Sequence, residues 1–376
     1  MPVTHVGIVG GGQLGRMLAL AGYPLDIRCT TLDPSRDSPA AQVAPAIVGA
    51  YDDREALARL AKTSDVVTYE FENVPADAAR FLAELVAVFP PADALEVSQD
   101  RLHEKQLFTE VGLSVPPYAT VDSLASLMAG MDVIGTPAIL KSRRLGYDGK
   151  GQAVIHDRAL AEDAWRSIGE VPALLEQLVA FDREVSIVAV RGRDGEAVCY
   201  PLVQNEQHDG ILWSTLAPAP DVSPAMATLA QAHIRAAMDR LDYVGVMALE
   251  LFSVGEQLLG NEMAPRVHNT AHWTIEGAET SQFENHLRAV TGLPLGSAAP
   301  RGVSMMVNLI GSVPDAAALT AIPGAHVHLY GKSPRPGRKL GHITLRADDP
   351  QALEGPRLQV LGLLDESLRD GVPHMP

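Results

Sequence analysis

Over residues 1–95 short β-branched runs alternate with amphipathic helical stretches, and this alternation predicts strands at 6–9, 27–32, 46–48 and 66–69. Such alternation builds a parallel α/β sheet with helices on its faces. A helix is predicted over 100–112, with Pro116-Pro117 breaking the pattern behind it, so the first domain is expected to end at residue 98. From 138 to 190 the periodicity changes to that of hairpins: strands at 138–141, 152–155, 173–177 and 184–190 bracket a helix at 159–168. These describe a small α+β lid, spanning about 118–190, within a central domain of residues 99–295. Further strands are expected at 197–203, 244–252 and 257–262, with helices at 224–241 and 281–291. The Gly-, Ala-, Ser- and Pro-rich stretch 294–301 reads as a linker to a small C-terminal α+β module, residues 296–376.

At 376 residues the chain is too long for one ordinary core, and 47% hydrophobic with 20% charged residues supplies enough apolar surface to fold throughout. The formal charge of −16 repels nucleic acid and anionic lipid unless a local basic patch overcomes it, and 332–339 is the one such patch. Cys29 and Cys199 lack CxxC spacing, and the chain enters an apolar strand at once without a long apolar run. A reduced, cytoplasmic protein that is neither exported nor membrane-anchored is expected.

Gly10-Gly11-Gly12-Gln13-Leu14-Gly15 follows a strand and opens a helix, and Asp33 ends the next strand. This satisfies the dinucleotide fingerprint of a Rossmann-like domain, although the same turn offers backbone N–H groups to any anion. Glu70, Glu72 and Asn73 cluster at the C-terminal end of the 66–69 strand, the edge where open α/β sheets bind ligands. They could accept hydrogen bonds from an amine or ribose hydroxyls; the bland alternative is a solvated acidic loop.

Lys141 ends an apolar strand and precedes the glycine-rich stretch Gly146-Tyr147-Asp148-Gly149-Lys150-Gly151-Gln152, a pairing suited to holding and covering nucleotide phosphates. A lysine so embedded is costly to bury without an anionic partner. Glu176-Gln177-Leu178-Val179 can meet an adenine edge through its backbone, and Glu184 can hold ribose hydroxyls. Glu250 and Glu262 interrupt two apolar strands, and two buried acids on neighbouring strands repel unless a cation lies between them. Oxygen-only ligation with few protein ligands suits Mg²⁺ bridging ATP phosphates. Pairing of these acids with Arg266 is the structural alternative, whereas Arg266, His268 and Asn269 are also placed to bind an oxyanion beside the metal.

In this order, Lys141, the 146–152 loop, 176–179, Glu184, Glu250 and Asn261-Glu262 resemble the ATP-grasp superfamily over nearly the whole chain. Within it the chain is similar to the 5-(carboxyamino)imidazole ribonucleotide synthase family of purine biosynthesis, on the stretches 10–17, 69–74, 146–152, 261–269, 272–274 and 335–342. The resemblance implies that ATP phosphorylates bicarbonate to carboxyphosphate and that the amine of 5-aminoimidazole ribonucleotide takes up the carboxyl group. It implies Arg101, Lys141, Gly146 to Gln152, Glu176 to Val179, Glu184, Gln207, Asn261 and Glu262 for ATP, with Glu250 and Glu262 for Mg²⁺. Where relatives carry a histidine two positions after Asn205, this chain has Gln207 and then His208. Arg266, His268 and Asn269 would hold bicarbonate and its phosphorylated form, and Asp148 would join them in catalysis. Gln13, Leu14, Glu70, Glu72, Asn73, Tyr147, Asp148, Lys332, Arg338 and Lys339 would meet the ribonucleotide, in an enzyme that is a homodimer. A formate-dependent glycinamide ribonucleotide transformylase shares much of this pattern. A nicotinamide-dependent dehydrogenase and a non-catalytic nucleotide-binding protein are alternatives from other classes.

Overall fold

A computed structural model describes residues 5–146 and 149–364. Strands β1 (His5–Val9), β2 (Arg28–Asp33), β3 (Ala46–Val48), β4 (Val66–Tyr69) and β5 (Ala87–Val88) form a wholly parallel sheet in the order β3-β2-β1-β4-β5. Leu14 and Leu18 cover one face, while Leu57, Leu60 and Leu82 cover the other. Burial on both faces is why the inner strands β1 and β4 read as short continuous runs.

Strands β6 (Tyr118–Val121), β7 (Ala138–Ser142), β8 (Gln152–Ile155) and β9 (Ala173–Gln177) make the lid, an antiparallel sheet ordered β6-β9-β7-β8. It carries two helices rather than the one expected. The additional helix, Leu124–Ile134, is capped by Ser123 and contributes Leu127 and Met131 to the lid's own core.

The nine-stranded central sheet contains β10 (Arg183–Arg191), β11 (Ala197–Cys199), β12 (Val203–His208), β13 (Ile211–Ala217), β14 (Gly245–Val254), β15 (Gln257–Ala264), β16 (Val303–Ile310), β17 (Ala325–Leu329) and β18 (Lys339–Ala347). Its path runs β15-β14-β10-β12-β13-β16-β18-β17, with β11 paired to β10. Two expectations change here. The 184–190 strand belongs to this sheet and not to the lid, because β10 pairs with β14 along its whole length, from Arg183↔Ser253 to Arg191↔Gly245. The strands of the C-terminal module continue the same sheet through β13 and β16, with Ser214 opposite Val307.

The single strand expected at 197–203 is split between β11 and β12, and the β12–β13 hairpin went unread because β12 is the polar run Val-Gln-Asn-Glu-Gln-His. Its Asp209-Gly210 turn has φ of 49° and 73°, the left-handed pair that a tight two-residue hairpin requires. His286 ties the parallel sheet to the central one. Its Nε2 lies 2.8 Å from Thr68 Oγ1, and its Nδ1 accepts the Val246 N–H at 3.1 Å.

Candidate active site

A cavity of about 600 Å³ lies where the three sheets and the C-terminal strands converge. The parallel-sheet domain contributes Gln13, Leu14, Glu70, Glu72 and Asn73, the lid Lys141, Gly146, Gly149, Lys150 and Gln152, and the C-terminal module Lys332, in the β17–β18 loop, and Lys339, which opens β18. Arg101, Gln207, Glu250, Asn261, Glu262, Arg266, His268 and Asn269 complete the expected residues that line it. The lid approaches closely enough that a side chain at Gly149 would meet the Asp209 carbonyl at 2.7 Å.

Glu250 on β14 and Glu262 on β15 are direct cross-strand partners, so their carboxylates share one face of the sheet. Burial, with Glu262 and Glu184 nearby, pushes the Glu250 carboxyl well above the usual carboxylate range. Glu184 is raised to about 7 by burial, Glu206 and Glu262. Burial and the charges of Arg266 and Lys339 hold His268 well below the usual imidazole range. His268 is therefore neutral; its Nδ1 accepts the Thr270 N–H, which leaves the Nε2 proton to face Glu250 Oε1 at 3.2 Å. Gln207 Nε2 donates to the other Glu250 oxygen at 3.4 Å. Neither neutral donor brings a positive charge to Glu250, while Glu262 lies 3.4 Å from the Arg101 guanidinium. Among the described residues no group of three or more His, Cys, Asp or Glu could hold a metal by itself. Two carboxylates completed by phosphate oxygens and water form a donor set that fits Mg²⁺.

Lys141 Nζ lies 3.1 Å from Glu176 Oε2 and donates to Asn261 Oδ1 at 3.3 Å. Glu176, 1% exposed, thus supports Lys141 from below. Gln177 and Leu178 donate their N–H groups to Pro117 and Pro137 carbonyls. Gly151, Glu176 to Val179 and Glu184 do not line the main cavity. Tyr147 and Asp148 lie outside the described residues.

The glycine turn is filled by the protein's own acids. Glu70 Oε1 accepts the Gly12 N–H at 2.7 Å, Glu70 Oε2 accepts that of Gly15 at 2.9 Å, and Asp33 Oδ2 accepts that of Gly11 at 2.9 Å. A Cβ at Gly12 would stand 2.6 Å from Glu70, so the turn needs glycine to admit this carboxylate. The dinucleotide reading is thereby corrected: the amides that would bind a pyrophosphate already serve Glu70 and Asp33. The helix they open presents Gln13, whose Oε1 accepts from Lys332 Nζ at 2.5 Å.

Arg266 Nε pairs with Glu72, and its Nη1 donates to the Val267 carbonyl at 3.0 Å. This joins the two sides of the cavity. Asn269 has both amide atoms buried without a hydrogen-bond partner, an arrangement that fits a ligand with donors or acceptors of its own. Arg338 is not among the lining residues, and its Nη1 donates to the Ser333 carbonyl at 3.1 Å. Reading residue types one strand at a time missed Glu104, Lys105, Arg143 and His272. Glu104, Arg143 and His272 line the cavity, while Lys105 lies beneath it, wholly buried against Glu176. Leu107 and Phe108, one turn after Glu104-Lys105 in the 100–112 helix, were the available signal, since a charged pair on a buried helix face needs a partner.

Three family models match in succession: a ribonucleotide synthetase preATP-grasp domain over 3–99, an ATP-grasp domain over 106–283, and a phosphoribosylaminoimidazole carboxylase C-terminal domain over 304–355. Fold and cavity thus define an ATP-grasp ligase, which works with ATP and Mg²⁺. The chain is 50% identical to the N5-carboxyaminoimidazole ribonucleotide synthase of Pseudomonas aeruginosa over 96% of its own length and 99% of the relative's. Among solved structures, the synthetase of that name from Thermus thermophilus superposes with a TM-score of 0.93 at 55% identity, covering 96% of this chain and 99% of that one. An Aspergillus clavatus synthase solved with ADP and 5-aminoimidazole ribonucleotide gives 0.89 at 33% identity, covering 98% and 99%. The chain belongs to the N5-carboxyaminoimidazole ribonucleotide synthase family, ATP-dependent ligases of purine biosynthesis. The transformylase and dehydrogenase alternatives are not favoured. Among the described residues no helix is long and apolar enough to cross a membrane.

Proposed function

We propose that this cavity binds ATP, bicarbonate and 5-aminoimidazole ribonucleotide together and carboxylates the amine through carboxyphosphate. The observation that carries the assignment is the convergence of the Glu250–Glu262 pair, Lys141, and the basic residues Lys332 and Lys339 on one cavity. Glu250 and Glu262 would hold Mg²⁺, whose charge draws electron density from the transferring phosphoryl group. Arg101, 3.4 Å from Glu262, and Lys141 stand ready for phosphate oxygens, with Asn261 orienting Lys141. Gly146 to Gln152 cover the phosphates and Gln207 flanks the nucleotide, while 176–179 and Glu184, which are not among the lining residues, meet the base and ribose where the nucleotide extends past Lys141.

Arg266, His268 and Asn269 hold bicarbonate. Arg266 offers a guanidinium fork fixed by Glu72, and the unpartnered Asn269 amide supplies the remaining polar contacts. A bicarbonate oxygen attacks the γ-phosphorus and ADP leaves. The amine nitrogen then bonds to the carboxyl carbon, the C–O bond to phosphate breaks, and the amine proton passes to the departing phosphate. Asp148 and Tyr147 serve this second step beside the ribonucleotide. Gln13, Leu14, Glu72, Asn73, Lys332, Arg338 and Lys339 hold the ribonucleotide, and Glu70 acts by shaping the turn that presents Gln13. Carboxyphosphate decomposes quickly in water, so closure of the lid protects it.

The enzyme works as a cytoplasmic homodimer, a reading supported by the family resemblance and by two free cysteines. ADP release by the purified protein is the test. Release that requires both bicarbonate and the aminoimidazole ribonucleotide is expected, with one carboxylated product per ADP; release that responds to neither overturns the assignment.

A further inference from the structure

Strand β15 carries a bulge at the point where the acid pair is formed. Leu251 faces Gly260, yet the next residue, Glu250, faces Glu262, so Asn261 is the extra residue on β15. Without it the register would set Asn261 opposite Glu250 and turn Glu262 to the far face of the sheet, because side chains alternate along a strand. The bulge therefore decides whether the two acids meet.

β15 is the edge strand of its sheet, so backbone groups on either side of the bulge point away from β14, and residues 104–114 supply their partners. Lys105, on the helix Arg101–Glu110, is fully buried and donates from Nζ to the Gly260 carbonyl at 3.1 Å and the Asn261 carbonyl at 3.0 Å. Its neighbour Glu104, 2% exposed, accepts the Met263 N–H at 2.6 Å. Just beyond the helix, the Ser114 carbonyl accepts the Gly260 N–H at 2.8 Å. Glu262 is thus gripped through the residues on both sides of it. Lys105 also stands 3.5 Å from the Glu176 oxygen that supports Lys141. A charged pair in a core is costly unless its hydrogen bonds are needed, and these go to the bulge.

We propose that Glu104 and Lys105 are positioning residues for the metal–nucleotide site: they hold the β15 bulge, set Glu262 beside Glu250, and fix Asn261 against Lys141. This rests on the reading that Glu250 and Glu262 bind the metal. Mn²⁺ binding to the full-length protein in the presence of ADP, followed by electron paramagnetic resonance, needs no turnover and provides the test. Glu104→Leu and Lys105→Met are expected to weaken Mn²⁺ binding by about tenfold or more, as loss of a group that orients a metal ligand does. The Michaelis constant for the ribonucleotide is expected to stay near the wild-type value. Glu104→Gln keeps an acceptor for the Met263 N–H and is expected to restore most of the affinity. Glu104→Asp, which withdraws the carboxylate by one methylene, keeps the test open where the larger changes prevent folding; it is expected to fold and to weaken Mn²⁺ severalfold.

Wild-type Mn²⁺ affinity in Glu104→Asp or in folded Glu104→Leu and Lys105→Met, with binding lost in Glu262→Gln, overturns the positioning role alone. Retained binding in Glu262→Gln overturns the metal-site reading beneath it. An equal loss of affinity for Mn²⁺ and for the ribonucleotide would mark Glu104 and Lys105 as general supports of the fold and would also overturn the proposal.

Discussion

The glycine turn at residues 10–15 and the acid pair on β14 and β15 both advertise a ligand site, and the fold treats them in opposite ways. At the turn, the Gly11, Gly12 and Gly15 amides have found Asp33 and Glu70 as internal partners. At the pair, Glu250 and Glu262 face each other, and their nearest donors to Glu250 are a neutral histidine and an amide. A motif whose hydrogen bonds are closed by the protein builds structure. One that sets two acids side by side, with Arg101 3.4 Å from Glu262 and neutral donors on Glu250, holds like charges together at a cost that a cation would relieve. The two regions sit on the same cavity, so distance does not explain the difference; the identity of the residue opposite each motif does.

The contrast breaks first at Glu262. Glu262→Gln conserves shape while removing charge, and turnover measured by ADP release is expected to fall roughly a hundredfold or more with the melting temperature little changed. Loss of folding in place of activity would make this acid structural, like Glu70.

Glu70→Ala should behave in the reverse manner. It leaves two turn amides without acceptors, at a cost of about 2–4 kcal/mol by chemical denaturation, since hydrogen bonds to a charged group are lost and buried donors are orphaned. The Michaelis constant for ATP in the surviving folded enzyme should be unchanged; a large rise would return the turn to nucleotide binding.

The basic strand region sharpens the comparison further. Lys332 lines the cavity and holds Gln13, whereas Arg338 hydrogen-bonds within its own loop. Lys332→Ala is expected to raise the Michaelis constant for the ribonucleotide about tenfold, the scale of one charge-assisted hydrogen bond. Arg338→Glu should also act on the ribonucleotide rather than on ATP, more weakly and with salt screening it. A larger effect at Arg338 would require the loop to turn inward when substrate binds.

The last contrast concerns stability against pH. Burial lowers His286 to about 3, so the folded state carries fewer protons there than the unfolded chain between about 3 and the ordinary histidine value of 6.5. Its contribution is full above that window and is lost as the pH falls through it. Denaturation midpoints should therefore decline below pH 6.5, with a shallower slope in His286→Gln. An unchanged slope would assign the acid sensitivity to His268, His272 or His342, which burial also depresses.

Strands with two buried faces, such as β4 at Val66–Tyr69, were legible because continuous β-branched runs leave little choice of conformation. Lys141, Glu250 and Glu262 were legible because a charge inside an apolar strand is anomalous wherever the strand lies. The polar strand β12 escaped, since its Asn205 takes its hydrogen bonds from neighbouring strands, Ser186 on β10 and Thr215 on β13, which the strand's own residues do not announce. Glu104 and Lys105 escaped for the same reason: their partners lie about 155 residues away on β15.

What the sequence determined by itself was therefore the set of local commitments: the parallel first sheet, the lid hairpins, and the residue types able to hold phosphate and metal. Tertiary structure decided which of them remain open to a ligand. A carboxylate costs too much to bury unaccompanied, and only the fold reveals whether its companion is a set of backbone amides, as for Glu70, or a second carboxylate across the strand pair, as for Glu250 facing Glu262.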